Sequence, residues 1–288
     1  MKLTQRIAIG YYQTKLKTIA LVSPRKAAES AFKLFCTPRN GKNKHKAPVI
    51  FYKADTLSFN LEGLQIYGWR WKTEFSNGKK ILLVHGFDSY SYKFEKYVNL
   101  LLAQNFEVLT FDAPGHGISE GKTINVKIYR DLIGKVEEIY GPLFGIIAHS
   151  LGGIAASLAA EKMNNLQKLV LIAPATETER AVNNFLKLIH LDKSFKTEFI
   201  QVLEEIAEQP LSYFSVSRAI RHIKANTLWL HDTGDNVCPY EDVKPVQEMV
   251  LPHVSFYITK GLGHSKIYKD NKVIQQVISF MTAIGDSL

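Results

Sequence analysis

Runs of apolar residues alternate along the chain with segments of helical periodicity, a pattern typical of a parallel sheet flanked by helices. Six near-continuous apolar runs predict parallel strands, because strands covered on both faces carry few polar side chains. These runs span residues 80–84, 106–111, 143–148, 167–172, 227–231 and 254–259. Helical periodicity predicts helices near 92–104, 123–140, 151–163, 240–250 and 271–284. The fold class is therefore α/β, with a doubly wound, mostly parallel sheet.

Two earlier segments differ from the rest. Residues 49–60 and 64–72 alternate apolar with polar positions and are separated by Glu62-Gly63. Such alternation is typical of strands with one exposed face, and a short Gly-containing connection is typical of a hairpin. An antiparallel hairpin at the edge of the sheet is predicted.

About fifty residues with helical periodicity separate the predicted strand 167–172 from the predicted strand 227–231. They begin after Ala173-Pro174 and end before Thr227. A plain crossover needs about a dozen residues. The excess predicts a helical cap, inserted at about residues 175–224. We expect most of its apolar side chains to form its own core and a few to line a pocket for a hydrophobic acyl or alcohol group. These side chains are Val182, Phe185, Leu186, Ile189, Phe195, Phe199, Val202, Leu203, Ile206, Tyr213 and Phe214.

Positive charge is concentrated at the N-terminus. Residues 1–48 contain eleven Lys and Arg against one acid, Glu29, in a chain of formal net charge +9. We therefore divide the chain into a basic helical extension with a polar linker, residues 1–48, and a sheet domain, residues 49–288. The net positive charge of the chain therefore belongs to the extension and gives no information about the sheet domain.

Two helices are predicted in the extension. Leu3, Ile7 and Tyr11 recur at helical spacing, and Ser23-Pro24 begins a second helix that Thr37-Pro38 ends. We expect the extension to pack on the body through those three apolar residues. Weak binding to a membrane surface is the alternative, favoured less because one such helix is a weak membrane signal.

The hexapeptide Ala148-His149-Ser150-Leu151-Gly152-Gly153 lies between a predicted strand and an Ala-rich helical run. A strand that turns sharply into a helix strains its corner residue and needs small residues two positions to either side. Ala148 and Gly152 fill those positions, although the first is more often Gly. Ser150 is the predicted nucleophile, and the Leu151 N–H is a predicted oxyanion donor.

An acid and a histidine follow in loops after later strands. Asp235 follows Gly234 after the strand 227–231, and His264 follows Gly263 after the strand 254–259. Asp232 is the competing acid. The glycine before Asp235 and the proline four residues after it resemble the acid loop of the α/β-hydrolase superfamily, and this resemblance favours Asp235.

The order Ser150, Asp235, His264 resembles that of the α/β-hydrolase superfamily and differs from the chymotrypsin and subtilisin orders. Residues 81–87 resemble the family's strand and His-Gly loop, and residues 111–119 resemble its D-x-P-G-H-G-x-S loop. The resemblance covers roughly residues 50–288. It implies that the Phe87 N–H is the second oxyanion donor and that His85 and His116 shape turns.

Together these residues predict a serine hydrolase that cleaves small-molecule carboxylic esters of a moderately hydrophobic acyl group through an acyl-enzyme. A thioesterase or an acyltransferase differs only in leaving group or acceptor. A non-catalytic binding protein, tethered to a membrane by the basic extension, is the alternative from another class. An intact triad argues against it.

Other classes lack their signatures. No run of 18 apolar residues occurs, and the apolar stretch after Met1 is too short for a signal peptide, which predicts a cytoplasmic protein. Cys36 and Cys238 are expected to be reduced thiols, and we predict neither a metal nor a cofactor. The Gly121-Lys122-Thr123 triplet fails the phosphate-loop spacing because His116 stands where Gly is required. No nucleic-acid-binding module accompanies the basic segment.

Overall fold

The computed structural model describes residues 3–39, 46–190 and 193–283. Contacts divide the chain into two units. The N-terminal stretch up to Thr37 joins Glu177–Ser215 in one unit, called the helical unit below. Pro38–Thr176 and Val216–Leu288 form the other, called the sheet unit. The part of the predicted linker at residues 40–45 lies outside the described residues.

Eight strands form one sheet in the sheet unit, in the order β1-β2-β4-β3-β5-β6-β7-β8. They are β1 (Asp55–Leu61), β2 (Leu64–Trp71), β3 (Lys80–Val84), β4 (Glu107–Phe111), β5 (Gly145–His149), β6 (Lys168–Ile172), β7 (Asn226–Asp232) and β8 (Val254–Thr259). β2 pairs antiparallel with β1 and β4, and every other neighbouring pair is parallel. The predicted doubly wound, mostly parallel sheet and its edge hairpin are confirmed.

Eleven α-helices accompany these strands in the described part of the chain. They are α1 (Leu3–Val22), α2 (Pro24–Phe35), α3 (Glu95–Leu102), α4 (Val126–Tyr140), α5 (Leu151–Ala160), α6 (Thr178–Ile189), α7 (Lys193–Ala207), α8 (Val216–Ala219), α9 (Lys244–Glu248), α10 (Gly263–Lys266) and α11 (Asn271–Thr282). In the described residues, no helix is long and apolar enough to cross a membrane.

Two strand predictions need correction. Val49–Lys53 is a 3₁₀ helix and not the start of the hairpin. It folds back because the Phe51 ring packs edge-on against Trp71, at 4.9 Å between centroids, and the Trp71 indole N–H donates to the Ile50 carbonyl at 2.8 Å. β8 is only half-buried, because it is the last strand of the sheet and lacks a neighbour on one side.

In the helical unit, the two N-terminal helices and the inserted helices α6 and α7 share one apolar core. The Ser23 hydroxyl caps α2 by accepting from the Lys26 N–H at 3.3 Å, as the Ser-Pro pair predicts. Ala27 and Ala31 have no exposed surface, and side chains this small let α2 lie close against α7. Most of the inserted apolar residues lie in this core, including the fully buried Val182 and Phe199.

Helix α1 packs through a different apolar side from the predicted one, which contains Leu3, Ile7 and Tyr11. Ile7 and Tyr11 are exposed, and the side chain of Leu3 lies outside the described residues. Leu16 is buried instead, with Ile19 and Ala20 half-buried on the same side. Helical periodicity alone could not choose between two apolar sides of one helix.

We predict that Leu16→Ala destabilises the protein whereas Ile7→Ala does not. Truncating a buried leucine removes apolar contacts and leaves a cavity, which costs about 2–5 kcal/mol of unfolding free energy. The exposed Ile7 should change it by less than about 0.5 kcal/mol. Urea denaturation followed by circular dichroism measures both variants. Equal losses for the two would contradict the packing of α1 described above.

Candidate active site

Ser150 occupies the corner between β5 and α5 with a strained backbone, at φ 56° and ψ −122°. Residues other than Gly seldom adopt a positive φ, so the surroundings must hold it. They do so through three backbone hydrogen bonds. The Ser150 N–H donates to the Ile172 carbonyl at 3.1 Å, and its carbonyl accepts from Gly153 at 2.8 Å and Ala175 at 3.0 Å. The corner therefore presents the serine hydroxyl in a fixed position.

Three glycines are needed because the chain passes so close to this corner. A Cβ on Gly152 would lie 2.5 Å from the His85 carbonyl oxygen, and one on Gly153 would lie 2.7 Å from Pro174. A Cβ on Gly86 would lie 2.9 Å from the Ser150 Cβ. These positions admit no side chain without movement of the backbone.

The structure brings the three predicted triad residues together in one chain of hydrogen bonds. His264 Nε2 lies 2.9 Å from Ser150 Oγ, and His264 Nδ1 lies 2.7 Å from Asp235 Oδ2. Ser150 follows β5, Asp235 follows β7 and His264 follows β8. All three strands run parallel, so their carboxyl ends meet at the same edge of the sheet. This arrangement can pass a proton from the serine to the imidazole.

Asp235 is held by its own loop and by the histidine. Its Oδ1 accepts from the Val237 and Cys238 N–H groups, each at 2.8 Å, which leaves Oδ2 for His264. Burial raises the pKa of this carboxyl, but the bond and charge of His264 and the two N–H groups together bring the pKa below its usual value. Asp235 is thus an anion over the ordinary pH range.

Asp232, the competing acid, does not contact the imidazole. Its buried carboxylate accepts from Gly234 at 2.9 Å, the Thr259 hydroxyl at 2.7 Å and Leu262 at 2.9 Å. Burial raises its pKa, yet these bonds outweigh that effect and lower the pKa to about 2. Asp232 therefore ties the loop that carries Asp235 to the loop that carries His264. Sequence reasoning weighed it only as a rival acid, and nothing in the sequence indicated this tie.

Of the two predicted oxyanion donors, Leu151 directly follows Ser150 in the sequence, and Phe87 follows Gly86, whose backbone lies close to the Ser150 side chain. Leu151 is the first residue of α5, so its N–H has no acceptor within the helix. His85 fixes the peptide group between Gly86 and Phe87. Its Nε2 accepts from the Ala113 N–H at 3.0 Å, so the ring proton is on Nδ1. That Nδ1 donates to the Gly86 carbonyl at 2.8 Å. In a trans peptide the Phe87 N–H points opposite to that carbonyl.

Comparisons with known proteins found a matching family model, a similar human protein and similar solved structures. Residues 76–213 match the family described as serine aminopeptidase, S33. A human protein named monoglyceride lipase is 30% identical over 125 residues, which span 40% of this chain and 41% of that protein. An esterase of Pyrococcus furiosus has a similar structure, with a TM-score of 0.65 and 20% identity, covering 85% of this chain and 96% of the esterase. The mouse alpha/beta hydrolase domain-containing protein 10 gives a TM-score of 0.59 at 19% identity, covering 78% and 96% of the two chains.

The chain has the α/β-hydrolase fold, and the family match covers just under half of it. It spans less than half of the length of the human protein that it matches. Likeness to the two solved structures is at low identity and therefore concerns the fold.

Four buried histidines lie near the candidate site: His85, His116, His149 and His231. The His149 ring lies 4.9 Å from the His264 ring, and its Nε2 lies 3.2 Å from the His264 carbonyl, to which it can donate. Burial, assisted by the neighbouring His264, lowers the pKa of His149 to about 3. Burial likewise lowers the pKa of His85 to about 4 and, together with His85, the pKa of His116 to about 3. Burial also lowers the pKa of His231, so all four are neutral at ordinary pH.

The described residues include no cluster of three His, Cys, Asp or Glu side chains that could hold a metal ion. Cys36 and Cys238 are both free and buried. Burial raises the pKa of each thiol, to about 12 at Cys36 and further at Cys238. Neither thiol is a ready nucleophile at neutral pH.

We predict that this protein loses stability as the pH falls from about 6.5 toward 4. Burial lowers the pKa of all four buried histidines, so they stay neutral in the folded protein and take up protons on unfolding. The unfolded state therefore binds more protons in that range. Each contributes up to about 1.4 kcal/mol per pH unit. Urea denaturation at several pH values measures the slope, and His116→Asn should reduce it by about one proton. A slope that this variant leaves unchanged would contradict the buried, neutral state of His116.

Proposed function

We propose that this protein is a serine hydrolase that cleaves small-molecule carboxylic esters through an acyl-enzyme. The observation that carries the proposal is the chain of hydrogen bonds from Ser150 through His264 to Asp235, at 2.9 and 2.7 Å. The strained corner at Ser150 and the match of residues 76–213 to the serine aminopeptidase family support it. The names of its relatives, a monoglyceride lipase and an esterase, support an ester as the substrate class.

In the first step, Ser150 Oγ attacks the ester carbonyl while His264 Nε2 takes its proton. Asp235 holds the imidazole with Nδ1 protonated and stabilises the imidazolium that forms. The Phe87 and Leu151 N–H groups stabilise the negative oxygen of the tetrahedral intermediate. His264 then returns the proton to the leaving alcohol.

In the second step, water attacks the acyl-enzyme with His264 again as the base, and the acid and free Ser150 are released. We further propose a moderately hydrophobic acyl group, on the basis of the apolar insertion between β6 and β7. A thioester substrate or an acyl acceptor other than water would use the same residues. These alternatives differ in leaving group or acceptor, so a panel of esters and thioesters distinguishes them.

We predict that Ser150→Ala lowers kcat on any accepted ester by roughly 10⁴-fold or more, because the nucleophile and its base act as a unit. Chromogenic esters of increasing acyl length supply the assay, and mass spectrometry locates the serine that a fluorophosphonate labels. Ser157→Ala is the matched control, since Ser157 lies on α5 and donates only to the Gly153 carbonyl, at 2.8 Å. Labelling of another serine, or a wild-type rate in the Ser150 variant, would refute the proposal.

The two buried acids should differ in the kind of damage that their loss causes. Asp235→Asn removes the group that orients His264 and should lower kcat roughly 10³- to 10⁴-fold. Asp232→Asn should lower kcat far less and reduce the melting temperature instead, because it loosens the tie between two loops. Steady-state kinetics and calorimetry on both variants test this. The opposite ranking of kcat would assign the acid role to Asp232.

A further inference from the structure

Helix α1 carries apolar residues on two opposite sides, and packing within the helical unit uses only one of them. Leu16 is buried, with Ile19 and Ala20 beside it. On the other side, Ile7 is 64% exposed, Tyr11 is 61% exposed, and Leu21 and Val22 are each 88% exposed. At 3.6 residues per turn these four residues form one stripe along the helix. We call it the outer stripe of α1.

The hydroxyl protons of the two threonines within the outer stripe are bonded inside the helix and are not available to water. The Thr14 hydroxyl donates to the Gly10 carbonyl at 3.0 Å, and the Thr18 hydroxyl donates to the Thr14 carbonyl, also at 3.0 Å. Each hydroxyl proton is therefore bonded inside the helix, which reduces the cost of moving these side chains out of water. The stripe runs over about four helical turns, with Thr14 and Thr18 between Tyr11 and Leu21.

The charged residues of α1 itself have one sign. Lys15 and Lys17 are exposed and lie on opposite flanks, each about 80° around the helix from Ile7. The sequence of α1 contains Arg6, Lys15 and Lys17 and no Asp or Glu. Lysines on both flanks can lay their alkyl stems along an apolar surface while the ammonium groups reach a polar, anionic layer. Positive charge on both flanks therefore fits an anionic lipid surface better than a protein surface of mixed charge.

We propose that the outer stripe of α1 binds the surface of an anionic lipid membrane. The helix lies parallel to that surface, with Ile7, Tyr11, Leu21 and Val22 among the upper acyl chains. Lys15 and Lys17 contact the anionic headgroups, and the Tyr11 hydroxyl lies at the level of the headgroups, where tyrosine is enriched. The opposite side of α1, through Leu16, attaches the helical unit to this anchor. The proposal does not depend on the hydrolase activity.

Vesicle sedimentation of the full-length protein tests the proposal. Phosphatidylcholine vesicles with and without phosphatidylglycerol are compared at low and high salt. We expect binding to the anionic vesicles at low salt and much weaker binding at high salt or to neutral vesicles. Binding that is absent from anionic vesicles, or that is equal for both lipids and indifferent to salt, would overturn the proposal.

Paired variants separate the two parts of the surface. Leu21→Ser with Val22→Ser should weaken vesicle binding by roughly tenfold or more, because two apolar side chains leave the acyl layer. Lys15→Gln with Lys17→Gln should weaken binding to anionic vesicles by roughly tenfold at low salt. The matched controls are Val250→Ser, an 83% exposed valine of the sheet unit, and Lys72→Gln with Lys162→Gln on exposed lysines of that unit. Controls that weaken binding as much as the α1 variants would overturn the assignment to the outer stripe.

A second copy of this chain is the competing occupant of the outer stripe. Analytical ultracentrifugation without lipid distinguishes it. We expect the wild type and the Leu21→Ser, Val22→Ser variant to sediment alike. A dimer that this variant abolishes would assign the stripe to self-association and overturn the membrane proposal. Circular dichroism confirms that each variant keeps its helices.

Discussion

The strained turn at Ser150 is the constraint on which the geometry of the site depends. Its φ of 56° lets β5 run directly into α5, so the serine lies at the carboxyl end of a central strand. Such a turn persists only if neighbouring chains come close enough to hold it, and glycines at 86, 152 and 153 allow that approach. Asp235 and His264 can reach it because they follow other parallel strands, and these strands end at the same edge of the sheet.

Buried polar groups fix the two loops that supply the other members of the triad. Asp232 connects the loops after β7 and β8 through three hydrogen bonds, and His149 lies against the backbone of His264. His85 holds the peptide group between Gly86 and Phe87 in place through its bonds to the Gly86 carbonyl and the Ala113 N–H. Each group is buried, so each bond is costly to leave unmade and holds its loop in one position. The same burial lowers the pKa of the histidines and keeps them neutral.

The helical unit shows how distant segments share one core. Helices from the N-terminus and helices from the insertion between β6 and β7 are more than a hundred residues apart, yet they bury one set of apolar side chains. The predicted division of the chain at residue 48 follows charge, whereas the observed units follow contacts. Charge patterning reports where lysines lie along the chain. Packing depends on which apolar faces fit together.

The sequence by itself predicted the α/β class, the turn at Ser150 and the two loops that carry the candidate acids and His264, because burial periodicity and short motifs are local properties. Only the tertiary structure decided which side of α1 packs, since both sides are apolar. It also decided that Val49–Lys53 leaves the sheet and that Asp235, not Asp232, contacts His264. These outcomes depend on contacts between groups that are far apart in the chain, and a local sequence pattern does not identify such distant contact partners.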